Sequence, residues 1–202
     1  MKAVRLTPAG TPETVRKACD AESVFASQAF GELWHCLKGR LVYWCLRHGD
    51  IVHAAMPGVE FGVGPMRRFQ AMPDGCYATV TLLDDTLDPR AAAKYLLDGI
   101  IGFGYAKSAV ADYDNVFAVA GHLEEVECKT TLVDISSPEW QPPDAGLRTE
   151  IRKAQREGVK AVSFDATTHL DSFLTLVTET ERRHGREPKY PPEFYRGLAE
   201  LA

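Results

Sequence analysis

Apolar and polar positions switch between helical and strand spacing along the chain, and the switches mark the elements. Thr11-Pro12-Glu13 reads as a helix start, a hydroxyl followed by proline in the first turn, and predicts a short helix to about Cys19. Ser27 is a second start; Phe30, Leu33, Trp34 and Leu37 then share one helical face, which Gly39 ends. Residues 41–46 are rich in strand formers, His48-Gly49-Asp50 makes a turn, and residues 51–55 resume the pattern, so a β-hairpin is expected. Met56-Pro57 is expected to interrupt it. The glycine-rich stretch 59–69 predicts an irregular connection or a short edge strand, and residues 76–82 another strand.

Asp88-Pro89 opens a helix with Ala91, Ala92, Tyr95, Leu96 and Ile100 on its face. Residues 116–120 and 130–135 predict strands. Pro138, Pro142 and Pro143 then mark a break, dividing the chain into 1–143 and 144–202. A strongly basic helix over 147–157 is closed by Gly158, and 159–164 predicts a strand. Thr168 can cap the next helix, with Leu170, Phe173, Leu174, Val177 and Thr180 as its buried face and Gly185 at its end. Pro191-Pro192-Glu193 opens a last helix. Interleaved helices and strands predict an α/β fold, or α+β with a mixed sheet.

The 202 residues are 45% hydrophobic and 25% charged, enough for a sizeable core. A net charge of −5 gives no global reason to expect nucleic acid or an anionic membrane, although a local basic cluster can still bind phosphate. The five cysteines (Cys19, Cys36, Cys45, Cys76 and Cys128) are odd in number and widely spaced, which predicts reduced thiols and a cytoplasmic protein. The N-terminus has no apolar signal core, and no stretch is long and apolar enough to span a bilayer.

Three segments resemble the FemAB family. The first is 23–34, with Phe25, Phe30 and Trp34. The second is the hairpin ending at Pro57, followed by Met72-Pro73-Asp74-Gly75-Cys76-Tyr77, similar to the family's methionine-proline … glycine-x-tyrosine stretch. Ala71 stands for the usual serine there, and Ala78-Thr79 for a glycine pair. The third is the 131–136 stretch and the helix Leu147-Arg148-Thr149-Glu150-Ile151-Arg152-Lys153-Ala154 closed by Gly158-Val159. The resemblance implies two GNAT-like subdomains around a cleft, the second only partial over 144–202. It implies an N-acyltransferase whose donor is acyl-CoA or aminoacyl-tRNA and whose acceptor is a small-molecule or peptidoglycan-precursor amine. With the second subdomain only partial, whether this chain is active alone is left open. Helices after Gly158 without a full sheet to cover them predict an apolar patch or a homodimer near Phe173 and Phe194.

Arg148, Arg152 and Arg156, with Lys153 beside them, recur at helical spacing and share a face. Their guanidinium groups suit phosphate; the alternative is a solvated face beside Glu150 and Glu157. Tyr77 and Asp74 match the family's substrate-lining stretch; the alternative is a Pro73-Asp74-Gly75 turn with Tyr77 packed in the sheet. Strand alternation sends Cys45 and His48 to opposite faces, against a metal set with His53. Gly102-Phe103-Gly104 follows a helix rather than a strand and has Gly99 where a pyrophosphate loop would carry arginine or glutamine, so a compact acetyl-CoA enzyme ranks last. Glu124, Glu125 and Glu127 read as a solvent-facing run. A non-catalytic module binding a phosphorylated precursor or a protein partner competes with the transferase.

Overall fold

The computed structural model describes residues 1–73, 76–77, 80–113, 115–118, 124, 126–127, 133–134, 136–137 and 140–201. Its strands are β1 (Lys2–Leu6), β2 (Arg40–His48), β3 (Ile51–Phe61), β4 (Arg68–Ala71), β5 (Thr81–Leu82) and β6 (Lys107–Val110). Its helices are α1 (Glu13–Glu22), α2 (Gln28–Glu32), α3 (Pro89–Gly102), α4 (Ala145–Arg156), α5 (Ala166–Arg183) and α6 (Pro192–Glu200). The fold is mixed α/β, of the α+β kind. The sheet runs β1-β2-β3-β4-β6, with β5 pairing β3. Every pairing is antiparallel except that of β4 with β6, which is parallel and joined through α3.

The hairpin forms as expected, turning at Gly49 with φ +59. Pro57 does not interrupt it: β3 passes through, with Pro57 opposite Tyr43. The reason lies on the strand's other side. There β5 pairs with Ala54 and Ala55, and β4 with Val59 to Phe61, so no strand needs the N–H that Pro57 lacks.

One sheet face carries Val42, Trp44, Leu46, Ala54, Met56, Phe69 and Ala71. It is covered by Ala92, Ala93, Leu96, Leu97 and Ile100 of α3, while Tyr95 faces solvent. Burying Leu96 and Ile100 contributes about 1.5–3 kcal/mol each. Asp88 caps α3 by accepting from the Ala91 N–H. A Cβ on Gly99 would stand 2.4 Å from Ala3 Cβ, so glycine sets how closely α3 approaches β1.

The other face packs Leu41, Tyr43, Cys45 and Ala55 against Val15, Cys19 and Ala26. Beside them Phe30, Trp34 and Val59 meet Phe194 of α6. Ser27 caps α2 as the sequence suggests, but the run then tightens into a 3₁₀ turn over Leu33–Leu37 and closes at Lys38, whose φ is +61.

Several expectations change. Residues 159–164 form no strand: Val159, Val162 and Phe164 are exposed, and among the described residues no neighbour offers a ladder to them. Asp165, not Thr168, caps α5. Of the expected α5 face, Leu170, Leu174 and Val177 are only half-buried, and Phe173 and Thr180 are exposed. Phe164, Phe173, Leu176 and Leu198 are exposed, with the rings of Phe164 and Phe173 6.1 Å apart, but Phe194 is buried against Trp34. Of the expected strand 76–82, β5 takes Thr81–Leu82, Cys76, Tyr77 and Val80 lie in no strand, and 78–79 lie outside the described residues. Of the expected strands 116–120 and 130–135, Val116, Phe117 and Ala118, and Val133 and Asp134, lie in no strand, and the remaining residues lie outside the described ones. Glu124 and Glu127 are exposed. Cys19 and Cys45 are buried and Cys36 is exposed, all as free thiols.

Candidate functional site

The parallel pair gives the sheet two chemically different ends. At the carboxyl end, β4 stops at Ala71 and the chain turns through Met72, whose φ of +58 is a left-handed conformation that side chains rarely adopt. Pro73 follows, and the Cys76 N–H donates to its carbonyl. This turn delivers Tyr77, half-buried, edge-on to Phe25 at 5.1 Å and to Tyr113 at 5.2 Å. Tyr113 lies just beyond the end of β6. The chain there is bent by Asp112, which accepts from the Phe117 N–H at 2.7 Å. Loops leaving the carboxyl ends of parallel strands are where open α/β sheets collect ligands. Here they gather three rings in edge-to-face contact, two of which carry hydroxyl groups. Asp74 lies outside the described residues.

At the amino end sits a cluster that sequence reading missed. Glu60 is 0% exposed, on the same side of β3 as Met56. Arg5 of β1 donates to both its oxygens, Nε to Oε1 and Nη2 to Oε2, at 2.6 Å each. The Tyr105 hydroxyl donates to Oε1, and Arg67 Nη1 stands 4.0 Å from it. Phe103 lies between the two guanidinium groups, at 5.8 Å from Arg5 and 5.4 Å from Arg67.

Burial alone would push the Glu60 carboxyl up. The Arg5 and Tyr105 hydrogen bonds, with the charges of Arg5 and Arg67, outweigh it and hold the group below the usual range. Burial first, then the bond to Glu60, pushes the Tyr105 phenol up. The signal was legible: a lone carboxylate between Val59 and Phe61 demands a buried partner, and Arg5 has inward parity in β1.

The basic helix forms as α4, and its arginines divide. Arg148 Nη1 donates to the carbonyls of Pro142 at 2.6 Å and Pro143 at 2.7 Å, fastening the helix start to the preceding segment. Arg152 and Arg156 are exposed and line an open hollow with Thr149 and Gln155. No hydrogen bond, ion pair or ring contact joins any of the three to Tyr77 among the described residues.

Elsewhere His53 Nδ1 pairs with Asp84 Oδ2 at 2.9 Å. The Asp84 carboxyl is pulled down to about 2, first by the Thr86 hydroxyl and then by His53. His53 Nε2 is buried, with no hydrogen-bond partner among the described residues. Among the described residues no group of three or more His, Cys, Asp or Glu could hold a metal. No helix among them is long and apolar enough to cross a membrane. Comparison with protein-family models, curated proteins and solved structures finds no match.

Proposed function

We propose that the chain is an acyl- or aminoacyltransferase of the FemAB type, moving an activated acyl group from acyl-CoA or aminoacyl-tRNA to an amine such as that of a peptidoglycan precursor. The observation that carries this reading is the place of Tyr77, delivered with Tyr113 and Phe25 to the carboxyl ends of the parallel strands. A mixed sheet that ends in one parallel pair joined by a crossover helix also suits a GNAT-like subdomain.

In the reaction the amine nitrogen attacks the carbonyl carbon. A C–N bond forms, the C–O or C–S bond breaks, and the amine proton leaves with the departing hydroxyl or thiol. The chain's part is to position the two reactants and to polarise the carbonyl. The hydroxyls of Tyr77 and Tyr113 are the donors for that oxygen. The test supplies each donor class, radiolabelled, with amine acceptors. Transfer is expected, falling roughly a hundredfold in Tyr77→Phe. Absence of transfer from both donors overturns the proposal.

A second reading is favoured by Arg152 and Arg156, which make no ion pair among the described residues. It makes α4 a binding face for a phosphorylated precursor or a protein partner. Binding would weaken with salt and in the Arg152→Ala/Arg156→Ala variant. Unchanged binding excludes that face.

A further inference from the structure

The amino end of the parallel pair concentrates positive charge in a chain whose net charge is −5. Four stretches meet there: 4–7, 38–44, 58–69 and 103–108, brought together by the β1-β2-β3-β4-β6 order. Glu60 is the only acid in all four, and it is buried and bonded to Arg5. The cations Lys38, Arg40, Arg68 and Lys107 are exposed, with Arg67 half-buried beside them. None of the four exposed cations makes an ion pair among the described residues. Arg68 and Lys107 are direct cross-strand partners, and Arg40 is the cross-strand partner of Glu60 on the neighbouring strand.

An apolar tip projects from the middle of this charge. The connection from β3 to β4 exposes Val63 and Met66, each 73% accessible. It is a fixed shape rather than a slack loop. Gly62 and Gly64 hold φ of +77 and +55, and a 3₁₀ turn spans Gly64–Met66. Arg40 Nη2 donates to the Gly62 carbonyl at 2.9 Å, and the Ala106 N–H donates to the Arg67 carbonyl at 2.8 Å. Water-exposed aliphatic side chains on a rigid knob, ringed by unpaired cations, match the interfacial layer of an anionic bilayer. Acyl chains there take the apolar tip, and headgroup phosphates take the ammonium and guanidinium groups.

We propose that this end docks the protein on an anionic membrane surface, with Val63 and Met66 entering the interface and Lys38, Arg40, Arg68 and Lys107 facing the lipid phosphates. A single-stranded nucleic acid fits less well. Binding it calls for an open aromatic face on which bases stack. Phe103, the exposed ring at this end, has Arg5 and Arg67 over it, and Val63 and Met66 have no π-face. The proposal stands on the charge and exposure of this end alone and does not depend on the transferase reading.

The test is co-sedimentation of the purified chain with vesicles of phosphatidylcholine, alone or with about one-third phosphatidylglycerol. Binding is expected only to the anionic vesicles and is expected to fall with salt. Each cation near the surface is worth about fivefold, so Lys38→Ser/Arg68→Ser/Lys107→Ser should lower the partition constant by about a hundredfold. Val63→Asp/Met66→Asp should also release the protein while Met66→Leu retains it, separating insertion from charge alone. All these positions are at the surface, so an unchanged thermal melt shows that each variant is folded. Equal binding to neutral vesicles, no binding to anionic ones, or full binding by the triple variant overturns the proposal. So does polyuridylate that displaces the protein from vesicles and itself binds only through the three cations.

Discussion

Removing Arg5 should expose how the buried Glu60 carboxylate is held. In Arg5→Met the replacement keeps the apolar stem of the side chain and deletes the fork. Glu60, 0% exposed, would lose two charge-assisted hydrogen bonds of 2.6 Å. The Tyr105 hydroxyl would remain, and Arg67 at 4.0 Å is beyond hydrogen-bond reach. Taking one partner from a buried ion pair costs about 3–5 kcal/mol, because the other charge stays out of water with nothing to balance it. Arg5 is itself partly exposed, at 22% of its side chain, but the group left behind is the enclosed one, so the full range applies.

The sign of the pH dependence separates this account from lost packing. In the wild type the Glu60 carboxyl is held low. Its stabilising contribution is therefore complete above the unfolded-state value of about 4.3 and drains away as pH falls below it. In Arg5→Met burial dominates and the folded-state value lies above the unfolded one. Protonation then relieves the buried charge, and the variant gains stability relative to wild type as pH falls. The difference between the two proteins should shrink from about 4 kcal/mol near pH 7 to about 1–2 kcal/mol near pH 4. Urea unfolding followed by tryptophan fluorescence measures both. A difference under about 1 kcal/mol at neutral pH, or one that does not change with pH, would refute the reasoning.

Gly58→Ala should cost about 2–3 kcal/mol, because its Cβ would stand 2.4 Å from the Phe69 ring and 2.9 Å from the Gln70 carbonyl oxygen; a denaturation midpoint equal to wild type contradicts that packing. Phe194→Ala should cost about 3–5 kcal/mol and shift tryptophan emission, since the ring stacks on Tyr190 at 4.5 Å and meets Trp34 at 5.1 Å. A loss below about 1 kcal/mol would mean that α6 does not complete that core. Alkylation mapped by peptide mass should mark Cys36 in the native protein and spare Cys19 and Cys45, whose thiols burial pushes to about 11 and about 12. Native labelling of Cys19 or Cys45 at the Cys36 rate would show that they are not enclosed.

What the sequence conveyed depended on whether periodicity or partnership decided the outcome. The hairpin, the Asp88 cap and the inward face of α3 are local, and alternation with capping chemistry finds them. β1 escaped because Lys2 and Arg5 break its apolar pattern, and Arg5 turns inward only because Glu60, fifty-five positions on, receives it. β6, Lys107-Ser108-Ala109-Val110, lies at the end of the described sheet with its first three residues exposed and no alternation to read. The stretch 159–164 shows the converse: it has strand composition and, among the described residues, no neighbour to complete a ladder. Tyr77 was found by motif, yet its contacts with Phe25 and Tyr113 depend on where β6 ends, which pairing alone determines. The arginines of α4 share a face as their spacing requires, but spacing could not show that Arg148 is committed to the carbonyls of Pro142 and Pro143.

The two ends of β4 lie about 13 Å apart from Arg68 to Met72 at the usual rise per residue, and they are built on opposite principles. At the carboxyl end the rings of Tyr77, Tyr113 and Phe25 meet without a charge among them, on a chain bent through Met72. Phenol hydroxyls held there can donate to a carbonyl oxygen as negative charge develops on it, an interaction stronger in the transition state than in the ground state. At the amino end the carboxylate within the strands, Glu60, is buried and already bonded, while Lys38, Arg40, Arg68 and Lys107 are exposed. Glu60 thus has a role beyond pairing. It neutralises Arg5 inside the sheet and leaves Lys38, Arg40, Arg68 and Lys107 uncompensated at the surface. Were Glu60 exposed instead, it would offset one of those cations and weaken attraction to an anionic layer by about 1 kcal/mol. A protein held on a membrane by its cationic end would present the aromatic end about one strand length above the headgroups, within reach of an amine carried on a lipid-linked precursor. Activity on a soluble amine and on the same amine tethered to an anionic vesicle should therefore differ. The tethered form should be favoured in the wild type and lose its advantage in Lys38→Ser/Arg68→Ser/Lys107→Ser. An advantage that persisted without those cations would separate the docking end from the reacting one.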